Sequence, residues 1–221
     1  MNSGSAFYDY KAHYSTVLLA LVDADCKFLY VDVGACGRAS DAGVWDRCTL
    51  KQAVEGGMLG IPDPQNIPFS DKQCPYVFVG DDAFPLKEYM MKPYPGRGVT
   101  VDRRIFNYRL SRARRTSENA FGILAARFQV FQNSIRVSPN NAKDITLATI
   151  ALHNMLIQTS RDTYTPQEVI DSEHPNQGIF EALEAVGRGH GNNAKEVRET
   201  FKEYFNNEGA VSWQNEKALL H

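Results

Sequence analysis

Two acidic residues stand where a carboxylate can do chemistry. Asp81 directly follows Tyr76-Val77-Phe78-Val79-Gly80, a short apolar run that reads as a strand, so it sits at a strand end. Glu118 is the single acid among residues 103–136, a segment with eight arginines, no lysine and a net charge of +7. Residues 1–102 carry −4 and residues 137–221 carry −5, so the overall formal charge of −2 conceals an arginine stripe inside an acidic protein. A strand-end aspartate and a helical glutamate can converge although 37 residues separate them. Hard divalent cations such as Mg²⁺ and Mn²⁺ take carboxylate oxygens, and two of them about 3.5–4 Å apart activate water and stabilise the leaving oxygen in phosphodiester chemistry. Arginine suits bidentate phosphate contacts, and a concentrated stripe is the electrostatic footprint of a nucleic-acid binder. Arg112, Arg114 and Arg115 lie in that stripe next to Glu118. The plainer readings are a solvated helix face, arginines paired with acids elsewhere in the fold, and an i, i+4 pair between Arg114 and Glu118 worth a few tenths of a kcal/mol.

The elements that must hold these residues can be read from pattern. Residues 16–23 and 28–34 are β-rich runs joined by Ala24-Asp25-Cys26-Lys27, which predicts an antiparallel hairpin. From Ser40 the apolar spacing becomes helical, with Ser40 and Asp41 as capping candidates and Gly56-Gly57 as the stop. Residues 61–75 are proline-rich and predict a loop, Tyr76–Gly80 a strand, and Leu86–Met91 a brief helix after Pro85. The turn-rich stretch 92–98 leads into the arginine helix. At 100° per residue, Leu110, Ala113, Ser117, Phe121, Leu124 and Phe128 of that helix share a face. Glu118 lies at the edge of this face, between Arg114 and Ala125 on one side and Gly122 and Arg115 on the other. Residues 129–137 predict a strand or extended link, 141–158 a further helix, and 195–206 a short amphipathic helix at the periphery. The organisation expected is one core domain, 1–158, followed by an acidic, weakly specified helical tail, 159–221.

Composition bounds the class. With 221 residues, 43% apolar and 23% charged, the chain has ordinary globular values, which excludes disorder throughout. Its longest apolar run, Val17–Val22, is far short of the roughly 20 residues of a membrane span. The N-terminus lacks the basic and apolar regions of a signal peptide. Cys26, Cys36, Cys48 and Cys74 form no CxxC pair, which argues against a zinc ribbon and for a reducing compartment.

Four blocks carry a family resemblance: FYDYKAHYSTVLLALVDADCKFLYVDVGACGRASDAGVW, PYVFVGDDAFPLKEYMMKPYPG, IFNYRLSRARRTSENAFGILAARFQVF and ATIALHN. Over about residues 5–157, in order and spacing, they resemble the DDE nuclease domain of PIF/Harbinger-type transposases and of the Harbinger-derived nuclease-like proteins of animals and plants. The resemblance implies an α/β, RNase H-like fold, a mixed sheet flanked by helices, that cuts and joins DNA with two divalent metals (Mg²⁺ or Mn²⁺) held by an Asp-Asp-Glu set. The second acid of that set falls on Asp81 and the glutamate on Glu118, which are therefore the implied catalytic and metal-ligating residues. Asp82 stands where the family often has Ser. A further family aspartate falls on Asp41, implied as metal-associated, whereas its bland role is a helix N-cap. Arg112, Arg114 and Arg115 are the implied DNA contacts. The family's first catalytic Asp lies in an Asp-Gly strand upstream of the FYDYK block, and this sequence contains no Asp-Gly pair. The expectation is thus a domain partial at its N-terminus and lacking the first strand, with its catalytic competence open. Two functions compete: a metal-dependent DNA endonuclease or transposase domain, and a catalytically inactive adaptor that binds DNA or protein. RNA hydrolysis of the RNase H kind fits the metal logic but not the blocks. Implied partners are DNA, a Myb/SANT-like DNA-binding protein and a second copy of the chain, with no membrane; the implied location is the nucleus, the cytoplasm being the second candidate. His153-Asn154 reads as packing and hydrogen bonding in the core.

Overall fold

A computed structural model describes residues 15–36, 41–96, 99–165, 178–180 and 191–219, with the backbone alone for residues 36, 41, 42 and 219. The architecture is mixed α/β, and its elements group into two units: Met1–Leu50 with Arg115–Leu183, and Lys51–Arg114 with Glu184–His221.

In the first unit, alternating apolar residues pair β1 (Thr16–Val22) antiparallel with β2 (Phe28–Cys36), as the hairpin pattern predicts. The turn is fixed by Asp23, whose Oδ1 accepts the backbone N–H groups of Asp25 and Lys27, each at 2.9 Å. That local cap holds Cys26 in the left-handed region at φ 64°, an uncommon place for a residue with a side chain. The helix expected from Ser40 to Gly56 is two helices, α1 (Asp41–Arg47) and α2 (Thr49–Glu55). The break falls at Cys48, whose N–H reaches back three residues to the Trp45 carbonyl at 3.2 Å, so the last turn tightens and ends. Both Trp45 and Cys48 are buried.

The long arginine helix is α3 (Val101–Arg127), and α4 (Pro139–Tyr164) follows a 3₁₀ turn at Gln129–Phe131. Ser138 caps α4 by accepting the Asn141 N–H, and Pro139 occupies its first turn. The helix runs six residues past the expected end at 158, through a kink at Ser160. The C-terminal half of α3 is buried nearly all round rather than on one face: Ala120, Ile123, Leu124 and Ala125 are fully inaccessible. Two clusters explain this. Ala120, Leu124 and Ala125 pack with Phe28, Phe131 and Ile150, whereas Ile123 packs with Ile157 and Tyr164.

In the second unit, the stretch expected as a loop contains a short antiparallel ribbon, β3 (Gln65–Asn66) with β4 (Gln73–Cys74). The strand expected at Tyr76–Gly80 is shorter, β5 (Phe78–Val79), and it pairs in parallel with β6 (Met90–Met91). No helix forms at Leu86–Met91. Lys87 and Met90 instead exchange both backbone hydrogen bonds in a tight turn, at 3.0 and 3.1 Å, which feeds Met90 and Met91 into the strand pair. The ladder satisfies the N–H groups of Phe78 and Gly80 while burying Leu86, Met90 and Met91, so tertiary pairing overrides local helix propensity. After the N-terminal half of α3 come α5 (Asn192–Asn206) and α6 (Gln214–Leu219). The helix expected at the periphery, α5, is part of the core. Ala194, Val197, Phe201 and Phe205, at helical spacing, pack with Leu86, Met91, Tyr94, Phe106 and Leu110. Among the described residues no helix is long and apolar enough to cross a membrane.

Candidate active site

The end of β5 is built to present a carboxylate. A Cβ on Gly80 would lie 2.9 Å from the Phe84 ring, so only glycine lets the chain turn there with Phe84 folded against it. One residue on, Asp81 Oδ1 accepts the Ala83 N–H at 2.9 Å, an Asx turn that fixes the carboxylate's orientation through one oxygen. Asp82 is held differently. Its Oδ1 lies 2.9 Å from Lys92 Nζ, and the same ammonium donates to the Asp82 carbonyl at 2.6 Å. Lys92 is 1% exposed, so a buried cation clamps both the backbone and the side chain of Asp82.

Opposite the β5 end, α3 supplies the other wall. Asn107 grips the backbone of Tyr94, accepting its N–H at 2.8 Å and donating to its carbonyl at 3.1 Å. Asn107, Leu110, Ser111 and Arg114 share one helical face and, with Gly80, Asp81, Asp82 and Pro93, line a pocket of about 250 Å³ within the second unit. Tyr94 is buried behind this wall between two guanidiniums, Arg198 at 4.0 Å and Arg103 at 4.8 Å from its ring centroid. Burial, reinforced by its hydrogen bond to Glu199 at 2.7 Å, pushes the phenol well above its ordinary range.

Of the residues expected in the site, the structure brings Asp81 and Arg114 to one pocket. Glu118 follows Arg114 by four residues on α3 and is half-buried, but it belongs to the first unit, as does Asp41. Asp41 opens α1; its side chain, and the Gly37–Ser40 stretch before it, lie outside the described residues. Among the described residues no three His, Cys, Asp or Glu side chains gather as a metal cluster. The pocket's donors are carboxylate, amide and hydroxyl oxygens, with no sulfur or imidazole, and such a set suits a hard cation. Among the described residues Asp81 makes that one side-chain hydrogen bond, through Oδ1.

The arginine stripe sorts into working classes. Arg127 donates to the Tyr164 and Thr163 carbonyls, each at 2.6 Å, and closes the first unit's core. Arg109 bonds Gly209 and Gln214, and Arg103 covers Tyr94, so these three are structural. Arg112 is exposed, while Arg114 and Arg115 are half-buried. Lys92, Asn107 and Ser111 were not singled out from sequence, yet the 107, 111, 114 spacing already put three polar residues on one helical face.

His153 and Asn154 act in the first unit's core, as the sequence reading holds. Asn154 takes the Phe28 N–H and gives to the Phe28 carbonyl, both at 2.9 Å. His153 is fully buried between the Cys26 carbonyl and the Tyr164 hydroxyl, each at 2.8 Å. The carbonyl can only accept, so Nε2 carries the proton and Nδ1 accepts from Tyr164. Burial lowers the imidazole's affinity for a second proton, outweighing the Cys26 hydrogen bond that raises it.

A family profile described as DDE superfamily endonuclease matches residues 1–154. The chain is similar to Protein ALP1-like of Arabidopsis thaliana, 27% identical over 177 residues, which cover 79% of this chain and 43% of that protein. It thus spans less than half the length of the curated relative it matches. No solved structure matches. The profile covers the hairpin, the β5 end with Asp81, and α3 with Glu118, and on that match the chain belongs to the DDE superfamily endonuclease family.

Proposed function

We propose that this chain is the catalytic domain of a Harbinger-type DNA endonuclease, with an RNase H-like fold, in which Asp81 and Glu118 are the metal-holding carboxylates and Asp41 assists them. One observation carries the reading: Asp81 is fixed at the end of β5 in a pocket that it shares with Arg114, one helical turn before Glu118. The order of elements supports it as well, since a hairpin, a helical segment, a short strand two residues before Asp81 and a long helix with Glu118 follow one another in the sequence this reading expects. When bound, Mg²⁺ or Mn²⁺ supplies positive charge that activates water and stabilises the leaving oxygen of a phosphodiester. The chain's own contributions are separate. The Asx turn fixes the Asp81 carboxylate through Oδ1, Lys92 holds Asp82 in an ion pair, and Arg114 brings positive charge to the same pocket, where a phosphate would sit. DNA is the substrate of this reading, the nucleus its place of work, and a Myb/SANT-like protein the partner that supplies sequence recognition.

The test pairs metal binding with cleavage. Mn²⁺ binding followed by calorimetry should weaken at least about tenfold in both Asp81→Asn and Glu118→Gln, because each removes a charged ligand. Nicking of supercoiled DNA by the full-length protein should fall at least about 100-fold in the same variants, while Asp82→Asn retains Mn²⁺ affinity. Equal Mn²⁺ affinity in wild type, Asp81→Asn and Glu118→Gln would refute the assignment and leave a non-catalytic DNA- or protein-binding adaptor as the function.

A further inference from the structure

Residues 191–219 lie beyond the part of the chain that the endonuclease profile matches, and in the second unit they meet the arginine stripe. Arg109 is held there on every side. It donates to the Gly209 carbonyl at 3.1 Å and to Gln214 Oε1 at 3.0 Å, and its guanidinium lies 4.7 Å from the Phe205 ring centroid. Gln214 is buried and donates to the Phe205 carbonyl at 2.8 Å, while its Oε1 also accepts the Val211 N–H at 3.3 Å. The turn leaving α5 is equally constrained, because a Cβ on Gly209 would fall 2.4 Å from the Tyr204 ring. Trp213, between Val211 and Gln214, is therefore delivered to a fixed place over α3, with Tyr108 edge-on at 6.0 Å.

Arg112 lies three residues beyond Arg109, and both guanidiniums lie over the Trp213 indole, the Cζ atoms 4.7 and 5.7 Å from the ring centroid for Arg112 and Arg109 respectively. Its situation differs in one respect that decides its use. Arg109 spends its donors on the protein, whereas Arg112 is exposed and makes no hydrogen bond among the described residues. A cation–π contact with an indole uses the guanidinium's charge and makes no conventional hydrogen bond, so N–H donors remain for another acceptor. It also restrains a long side chain that otherwise loses much rotamer freedom on binding. A planar, pre-oriented fork of donors matches two oxygens of a phosphate.

We propose that Trp213 is a positioning residue that presents the guanidinium of Arg112 to a backbone phosphate of duplex DNA, with Arg109 and Gln214 bolting the indole in place. The proposal rests on the reading of DNA as this protein's partner, and it adds a segment outside the matched family region to the DNA-contacting surface.

Binding of a short labelled DNA duplex, measured by fluorescence anisotropy from low to moderate salt, tests it. Arg112→Ala should weaken binding about tenfold and reduce the log–log salt slope by about 0.9, the signature of one lost phosphate contact. Trp213→Leu should weaken it about three- to fivefold, Trp213→Phe should stay within about twofold of wild type, and Trp213→Leu should add nothing in the Arg112→Ala background. Arg112→Lys, a surface change that keeps the charge but not the stacked fork, should lose about threefold and serves if Trp213→Leu does not fold. Wild-type affinity and slope in Arg112→Lys, or an equal loss from Trp213→Leu in both backgrounds, would overturn the positioning role alone. A wild-type protein without salt-dependent DNA binding would overturn this role together with the endonuclease reading.

Discussion

Both units pin an extended residue with an asparagine from a helix, and they put the same device to different ends. Asn154 of α4 takes and gives one hydrogen bond to the backbone of Phe28, and Asn107 of α3 does the same to Tyr94. The ring contacts of Phe28 are neutral and closed: the ring packs edge-on to Phe121 and His153, and His153 is fully buried. Around Tyr94 the neighbours are charged. Arg103 and Arg198 cover the ring, Glu199 accepts from its hydroxyl, and Asn107 itself is part of a pocket wall beside Asp81 and Asp82. A backbone clasp thus costs nothing in chemistry by itself. What turns one into a site is the set of charged side chains that its neighbours leave facing an opening.

Removing each clasp separates the two cases, and the largest effect is expected in the closed one. Asn154→Leu leaves the N–H and carbonyl of a buried residue without partners, which should cost about 3 kcal/mol. For a chain of this size each kcal/mol lowers the melting temperature by about 2–4 °C. Asn107→Leu orphans the same two groups, but pocket water can replace part of the loss, so about 1–2 kcal/mol is expected, with DNA nicking falling more than stability does. Equal destabilisation by the two substitutions, measured by thermal unfolding, would erase the distinction between the two clasps.

Next in size is the ion pair that shapes the pocket's floor. Asp82→Ala strands the nearly inaccessible Lys92 ammonium with a single carbonyl acceptor and should cost about 2 kcal/mol, less than a fully buried pair because the Asp82 side chain is 47% exposed. Lys92→Met removes the buried charge itself and leaves Asp82 solvated, so stability should change by less than about 1 kcal/mol. The informative result is the asymmetry. If Lys92→Met destabilises as much as Asp82→Ala does, then Lys92 is a packing residue and the clamp on Asp82 is incidental.

The same contrast explains what was legible in the sequence. The hairpin could be read because its alternation and its Asp23–Lys27 turn are local, and Asp81 could be placed at a strand end because the apolar run stops at Gly80. The helix expected at Leu86–Met91 failed because pairing with β5, a non-local gain, outweighs propensity. Asn107 and Asn154 look like any polar residues on a helix; only the folded chain shows that each matches one backbone N–H and one carbonyl. Charge counting found the arginine stripe but could not divide it. Whether Arg109 or Arg112 keeps its donors depends on Gly209, Trp213 and Gln214, about 100 residues downstream, and no periodicity within α3 carries that information.

The smallest effect lies in the pH response, and it sharpens the claim that the first unit's clasp is neutral and closed. His153 faces the Cys26 carbonyl, the Tyr164 hydroxyl and the Phe28 ring, with the Arg127 guanidinium 5.6 Å from the Tyr164 ring. Burial pushes its pKa below the ordinary 6.5, and burial also keeps the Tyr164 phenol protonated far above neutrality. The unfolded chain then binds the proton at a higher pH than the folded one does. Stability from this residue is therefore complete above about pH 6.5 and declines as the pH falls below it. Replacing His153 by Gln, which still offers an N–H to the Cys26 carbonyl, removes the titration and should flatten that part of the stability profile. Urea unfolding of wild type and His153→Gln between neutral and mildly acidic pH reads the difference directly. Parallel profiles would mean that the imidazole takes up its second proton as readily in the folded core as in water, and that the first unit is as open to charge as the second.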